Sequence, residues 1–326
     1  LSCIKLRAFR ACASFLLLAT ASLMVGAQQW PSRPITIVVG FAAGGPTDIV
    51  ARTVAKALGE ELGQPVIVEN KPGAGATVAA GQVASGPADG YTLLLVVPGL
   101  TGSESLFPTR KYDLAKDFAH VSLVGTSPNW LLTSVDSPFK TIQDVARLAA
   151  AQPGKFSYAH GGSGGISHLS AEWLKTLKNL DIVQIAYRGN GPALLDVAAG
   201  RVELLFDQPI SSESFVTSGK LRVLAVTSAT RLRAYPNVPT MVEGGYPDFV
   251  VDVWYGLSLR AGTPEPIVKA MNAAIAKAVA RADVKESLSR SGVTAASSST
   301  KDFEARVKSE IERWRGVITK NNITLQ

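Results

Sequence analysis

Short apolar runs alternate with segments of helical periodicity along nearly the whole chain. "ITIVV" at Ile35 to Val39 has the length and β-branched content of a buried strand. It is followed by "TDIVARTVAKALGEEL", where Val50, Val54, Ala57, Leu58 and Leu62 recur at helical spacing. "PVIVE" leads to "GAGATVAAGQVA", and "YTLLLVV" leads to a loop. Further on, "FSYA" precedes "ISHLSAEWLKTL", "VQIAY" precedes "GPALLDVAAG", and "VELLFD" precedes "SSESFVTSG". This alternation predicts an α/β fold of βαβ units, with mostly parallel sheets and flanking helices. "TIQD" from Thr141 and "SSTKD" before Phe303 fit N-cap chemistry with an acid in the first turn. Thr263-Pro264-Glu265 predicts a capping residue followed by proline at the first helical position. Three helical stretches close the chain, at about 265–279, 282–289 and 301–319.

One pattern occurs twice. "ITIVVGFAAGGPTDIVARTV" and "FSYAHGGSGGISHLSAEWL" are each a strand, a glycine turn and a helix, about 120 residues apart. The echo predicts two similar α/β lobes, each offering one helix N-terminus to a shared cleft at the strands' carboxyl ends. Gly40, Gly44 and Gly45 let the first loop turn tightly and bring backbone N–H groups close to a ligand. Those N–H groups have no partner inside the helix, and the helix dipole favours negative charge there, so a carboxylate or phosphate suits the position. The Lys-Ser/Thr ending of a Walker loop and the spacing of a dinucleotide fingerprint are both missing. Asp48 sits oddly beside an anion. It reads as a first-turn acid, a water organiser, or an acceptor for a ligand ammonium.

The first 27 residues change the picture. Lys5, Arg7 and Arg10 precede the apolar run Ala11 to Val25, and "VGA" ends at Ala27 with small residues at the −3 and −1 positions. This is the pattern of a secretory signal peptide, which places the protein in the periplasm. Both cysteines, Cys3 and Cys12, fall in this leader. The remainder therefore has no disulfide, cysteine nucleophile or thiolate metal site. Removing the three leader cations from the formal charge of +7 leaves +4, spread without a basic run, and nucleic acid is not an expected partner. With 46% apolar and 18% charged residues the chain has ample material for a core.

The second loop, "AHGGSGGISH" from Ala159 to His168, adds the hydroxyls of Ser163 and Ser167. Its G-x-S-x-G core raises the alternative of an exported α/β hydrolase on a carboxylate or ester. That fold needs an acid and then a histidine after the serine. The last histidine here is His168, five residues on, so the triad order is unavailable. The three histidines match no metal-ligand spacing, and no cofactor is expected. Tyr187 and Arg188 in "AYRGNGP", and Asp207 and Gln208 in "LLFDQP", follow two more strand-like runs. They either reach the cleft or form surface and strand-end turns. Trp130, Trp254 and Tyr255 either line the cleft or pack behind it.

Taken together, "WPSRPITIVVGFAAGGPTDIVAR", "VIVENKPGAGATVAA", "ADGYTLL", "PGKFSYAHGGSGGISHLSAE", "AYRGNGPALLDVAAGRVELLFD", "LRVLAVTSATR" and "WYGLSLRAGTPEPIV" resemble the Bug-type receptors of tripartite tricarboxylate transporters. The likeness spans essentially all of the chain after the leader. It implies a two-lobed periplasmic binding protein type II-like fold that closes as a flytrap, with lobes at 28–125 plus 251–326 and at 126–250. It implies no enzymatic activity. It further implies a monomer that takes a small carboxylate through backbone groups and bridging waters and delivers it to a membrane permease of that type. A ligand-sensing subunit for a signalling partner would use the same cleft. Carried onto this chain, the binding residues are Phe41, Ala43, Gly44, Pro46, Thr47 and Asp48 in the first loop, and Gly75 and Ala76 in the "PGAGA" turn. The second lobe supplies His160, Gly161, Gly162, Ser163, Ser167, Tyr187, Gly189, Asp207 and Gln208. Family members often read Tyr-Gly-Ser-Ala-Gly-Asn-Gly-Ser in the second loop. Here His160, Ser163 and Gly165 depart from it, and Thr77 stands where asparagine is frequent.

Overall fold

The computed structural model describes residues 30–290 and 292–325. The expected leader at 1–27 lies outside the described residues. The unit from Arg33 onward carries every element below.

Among the described residues, eleven strands form two sheets. The first contains β1 (Ile35–Val39), β2 (Val66–Asn70), β3 (Thr92–Val96), β4 (Phe118–Ser127), β10 (Val253–Arg260) and β11 (Thr294–Ala295), in the order β11-β4-β10-β3-β1-β2. The second contains β5 (Trp130–Ser134), β6 (Ser157–His160), β7 (Val183–Ala186), β8 (Leu204–Asp207) and β9 (Leu221–Val226), in the order β7-β6-β8-β5-β9. Each sheet has a parallel half built from βαβ units. In the first sheet β1 lies between β2 and β3, with Ile37 opposite Val68 and Leu93. In the second, β6 lies between β7 and β8. β1 is buried at four of its five positions, on both faces of the sheet, as a central strand of an α/β sheet should be.

The expectation of mostly parallel sheets needs correction, because both sheets are mixed. Four of the nine pairings are parallel and five antiparallel. Of the strands in antiparallel pairs, β4, β5, β9 and β10 carry the chain from one sheet to the other and back, and the short β11 lies on the edge of the first sheet. A buried strand is apolar whichever way it runs, so the sequence pattern is blind to this reversal.

Ten α-helices complete the fold: α1 (Pro46–Leu62), α2 (Thr77–Ser85), α3 (Pro98–Leu106), α4 (Ile142–Ala151), α5 (Ile166–Lys178), α6 (Asn190–Ala198), α7 (Pro209–Thr217), α8 (Glu265–Ala280), α9 (Ala282–Ser289) and α10 (Thr300–Lys320), counted among the described residues. Thr141 forms the full reciprocal capping box with Asp144 at the start of α4. Ser299 caps α10 by accepting from the Asp302 N–H. Thr263 does not cap α8. Its hydroxyl donates to the Arg260 carbonyl, and Pro264 is the residue flanking the helix. The loop expected after "YTLLLVV" is also a helix, since Pro98 starts α3 directly behind β3 with proline's fixed φ in the first turn.

Among the described residues, three apolar clusters illustrate how these layers pack. One joins Val38, Leu94, Val83 and Trp254 to Phe303 and Val307 of α10. A second packs Trp130, Leu132, Leu194 and Val197 on the second sheet. The third contains Phe139, Phe156, Trp173 and Phe249, together with Trp314 and Ile318 from the far end of α10. The last helix therefore contributes to the cores on both sheets. Trp173 stacks on Phe249 at 4.5 Å and meets Trp314 edge-on at 6.1 Å. Trp130, Trp254 and Tyr255 are fully buried, as packing residues.

Candidate functional site

The N-termini of five helices converge on one cleft of about 590 Å³, part of it open to solvent. Gly45, Pro46 and Thr47 bring the start of α1, and Val97, Pro98 and Gly99 the start of α3. Gly165, Ile166 and Ser167 bring the start of α5, Gly189 and Asn190 that of α6, and Gln208 that of α7. Phe41, Ala42, Gly161 and Val253 complete the wall. Among the described residues, no lysine, arginine or histidine lines it. Positive potential therefore comes from unpaired first-turn N–H groups and aligned peptide dipoles.

The two glycine loops match in backbone conformation as well as in sequence. Gly44 has φ 79° and Gly164 has φ 80°, values that only glycine adopts without strain. Gly45 and Gly165 then flank their helices with φ −83°, ψ 172° and φ −68°, ψ 162°. In each loop the positive-φ glycine donates its N–H to the side chain four residues on. Gly44 donates to Asp48 Oδ2 at 3.0 Å, and Gly164 to His168 Nδ1 at 3.3 Å. Asp48 and His168 thus occupy the same place in the two loops and clamp the turn from the side away from the cleft.

This geometry explains Asp48. Its carboxylate is buried and accepts from Gly44, from Arg52 Nε at 2.9 Å and from Asn70 Nδ2 at 3.0 Å. Burial opposes its ionisation. The Arg52 guanidinium, the Gly44 N–H and the Asn70 amide outweigh that cost and hold its pKa below the usual carboxylate range.

His160 is likewise fully buried, and its Nδ1 accepts the Gly162 N–H at 3.2 Å. Its ring lies 4.8 Å from that of His168. Burial lowers both pKa values, His168 to about 4, so both rings are neutral near pH 7. Neither hydrogen-bonds the Ser163 hydroxyl.

Behind the second loop runs a chain of fixed polar groups. Ser167 Oγ accepts from the Gly161 N–H and donates to Asn190 Oδ1. Asn190 Nδ2 donates to Asp207 Oδ1 at 2.7 Å. Asp207 is fully buried, also accepts from Ser211, and has a pKa raised by burial. Tyr187 turns its hydroxyl away, to Asp196 at 2.7 Å.

A wider opening of about 1120 Å³ adjoins the cleft and shares Phe41, Ala42, Gly161 and Gly189 with it. Pro72 to Ala76, Phe107, Gly162, Ser163, Tyr187 and the exposed Arg188 line this outer part. The two loops meet at its edge. A methyl group placed on Gly189 would touch the Ala42 side chain at 3.3 Å, and Ser103 Oγ reaches the carbonyls of both Gly75 and Gly164.

Of the residues expected from sequence, Phe41, Pro46, Thr47, Gly161, Ser167, Gly189 and Gln208 line the cleft. Gly75, Ala76, Gly162, Ser163 and Tyr187 line only the outer opening. Ala43, Gly44, Asp48, His160 and Asp207 line neither. Gly45 and Gly165, already marked in the two glycine loops, also line the cleft, as do Ala42, Val97, Pro98, Gly99, Ile166, Asn190 and Val253, which were not singled out. The signal for Val97 to Gly99 was a strand running straight into proline.

Comparison with known proteins decides the family. The family model described as "Tripartite tricarboxylate transporter family receptor" matches residues 50–323. The chain belongs to this family. It is a family of solute-binding receptors, not enzymes. Protein BugT of Bordetella pertussis is 34% identical over 313 residues, covering 95% of this chain and 96% of that protein. The periplasmic binding protein BugD superposes with a TM-score of 0.86 at 34% identity, over 91% of this chain and all of BugD's. MatC from Rhodopseudomonas palustris, solved with bound malate, gives 0.84 at 35% identity, over 89% of this chain and 100% of that one. An R. palustris protein solved with adipate gives 0.85 at 34% identity, over 90% of this chain and 99% of that one. A phosphonate-transporter binding protein from Pseudomonas aeruginosa shares the fold at 12% identity, with a TM-score of 0.56.

Proposed function

We propose that this receptor captures a small organic carboxylate in the cleft between its two sheets and hands it to a membrane permease of the tripartite tricarboxylate type, after export to the periplasm. One observation carries the reading: five helix N-termini face one cavity with no basic side chain in its wall among the described residues. Such a wall solvates an anion with N–H groups and dipoles, directly or through bridging waters. Two relatives solved with malate and with adipate hold acids of this class. The lobes are taken as 28–125 plus 251–326 and 126–250, closing on the ligand. A ligand that touches both lobes favours the closed state through its contacts.

A thermal-shift panel of mono-, di- and tricarboxylates, followed by calorimetry, tests this. Binding at 100 times Kd stabilises by about 2.7 kcal/mol, a shift of several degrees in a chain of this size. At least one dicarboxylate is expected to reach it. The absence of any shift at millimolar concentration across the panel would overturn the proposal.

A further inference from the structure

We infer that Tyr255 is a positioning residue that fixes the Gln208 side chain with its NH₂ group toward the cleft, making Gln208 a specificity-determining donor for a ligand oxygen. This rests on the carboxylate-binding reading above and deepens it.

Tyr255, on β10 of the first sheet, is fully buried, and its hydroxyl lies 2.9 Å from Gln208 Oε1. A buried phenol must donate its proton or leave it unpaired. Gln208 Oε1 is its acceptor, so the amide oxygen is held toward Tyr255. An amide turned the other way would place two donors against the phenol and leave the O–H without an acceptor. The amide nitrogen then faces the cleft, whose wall Gln208 forms at the start of α7.

The rest of the residue is equally fixed. The Gln208 carbonyl accepts from Ser212 Oγ at 2.8 Å and from Ser211 Oγ at 3.1 Å. Ser212 Oγ in turn accepts from Trp130 Nε1 at 2.9 Å. The neighbouring amide is committed elsewhere: Asn190 Nδ2 is bound to Asp207. Of the two side-chain amides in the wall, Gln208 is the one whose donors remain for a ligand. A pre-set donor at a helix N-terminus selects an oxygen acceptor, either a carboxylate oxygen or a hydroxyl oxygen.

Two experiments test this. The first is a neutron structure of ligand-free, deuterium-exchanged crystals. It should show the ND₂ group toward the cleft and the Tyr255 deuteron on the line to Oε1. An ND₂ group directed at Tyr255 would overturn the inference whether or not any acid binds. The second is a double-mutant cycle of Gln208→Leu and Tyr255→Phe, read by calorimetry with succinate and with L-malate, and with unfolding midpoints as the folding control. Gln208→Leu is expected to weaken binding at least tenfold, and Tyr255→Phe about three- to tenfold. The double variant should be no weaker than Gln208→Leu alone, because Tyr255 acts only through Gln208. Equal losses on both acids assign the ligand oxygen to a carboxylate, and a loss confined to malate assigns it to the hydroxyl. Additive losses, or no loss on either acid with wild-type binding intact, would overturn the inference. Failure of the wild-type protein to bind any carboxylate would instead overturn the functional proposal and leave the neutron result to decide this one.

Discussion

Gly99→Ala gives a sharp test of whether backbone N–H groups hold the anion. A Cβ at Gly99 would stand 3.0 Å from the Ile166 nitrogen, 3.2 Å from Gly165 Cα and 3.4 Å from the Gly164 carbonyl oxygen. The neighbours are backbone of the facing loop, so relief requires the two loops to part by a few tenths of an ångström. The methyl group would also cover the Ile166 N–H, one of the first-turn donors of α5. Losing one hydrogen bond to a charged group costs about 1.5–3 kcal/mol, or roughly 10- to 150-fold in affinity. Stability should not follow. Gly99 lies in the first turn of α3, where alanine is the better helix former, and the crowding is relieved by opening the cleft. Calorimetry with a dicarboxylate that binds the wild type should show the affinity loss, with the thermal midpoint within about 2 °C of wild type. Wild-type affinity at an unchanged midpoint would refute the reasoning. So would a fall in affinity matched by a fall in midpoint, which would mark simple damage to the fold.

Other expectations follow from the same geometry. Asp48→Ala leaves the Gly44 N–H without its acceptor and the Asn70 amide with the Phe41 carbonyl alone, and should cost about 1–3 kcal/mol of stability. It should reduce ligand affinity less than Gly161→Val, whose Cβ would lie 2.5 Å from the Asn190 nitrogen; equal losses in calorimetry would contradict this. His120 and His168 are both depressed from 6.5 to about 4, chiefly by burial. The unfolded chain therefore binds more protons between those values. Stability is complete above pH 6.5 and falls as pH drops through that window, by up to about 3 kcal/mol per histidine. Urea unfolding at pH 7 and pH 4.5 reads the loss, which a flat profile would refute. Trp314→Ala removes an α10 side chain packed against Trp173 in the third core and should destabilise by about 3–5 kcal/mol. A loss below about 1 kcal/mol in denaturant unfolding would show that α10 does not hold that core.

What could be read from the sequence was local. The capping box at Thr141, the serine cap of α10 and the closing helices were legible because each is set within a few residues. The paired glycine loops were legible because Gly44 and Gly164 must take positive φ, and the chain states this with glycine. Strand direction was not legible, since β10 is as buried along its length as the parallel strand β3 beside it. Side-chain direction was lost for a related reason. Asp48 is drawn away from the cleft by Asn70, 22 residues on, and Gln208 is oriented by Tyr255, 47 residues on. The helix at Pro98 was missed although its proline was in plain view, because an apolar run ending in Val-Pro-Gly also fits a turn.

A crystal structure with a bound dicarboxylate tests the central claim most directly. One carboxylate is expected in the cleft within hydrogen-bonding reach, directly or through one water, of backbone N–H groups at the starts of α1 and α5. Arg188 and the two buried histidines should make no contact with it. A carboxylate paired with Arg188 in the outer opening, with the helix N-termini left to solvent, would contradict it.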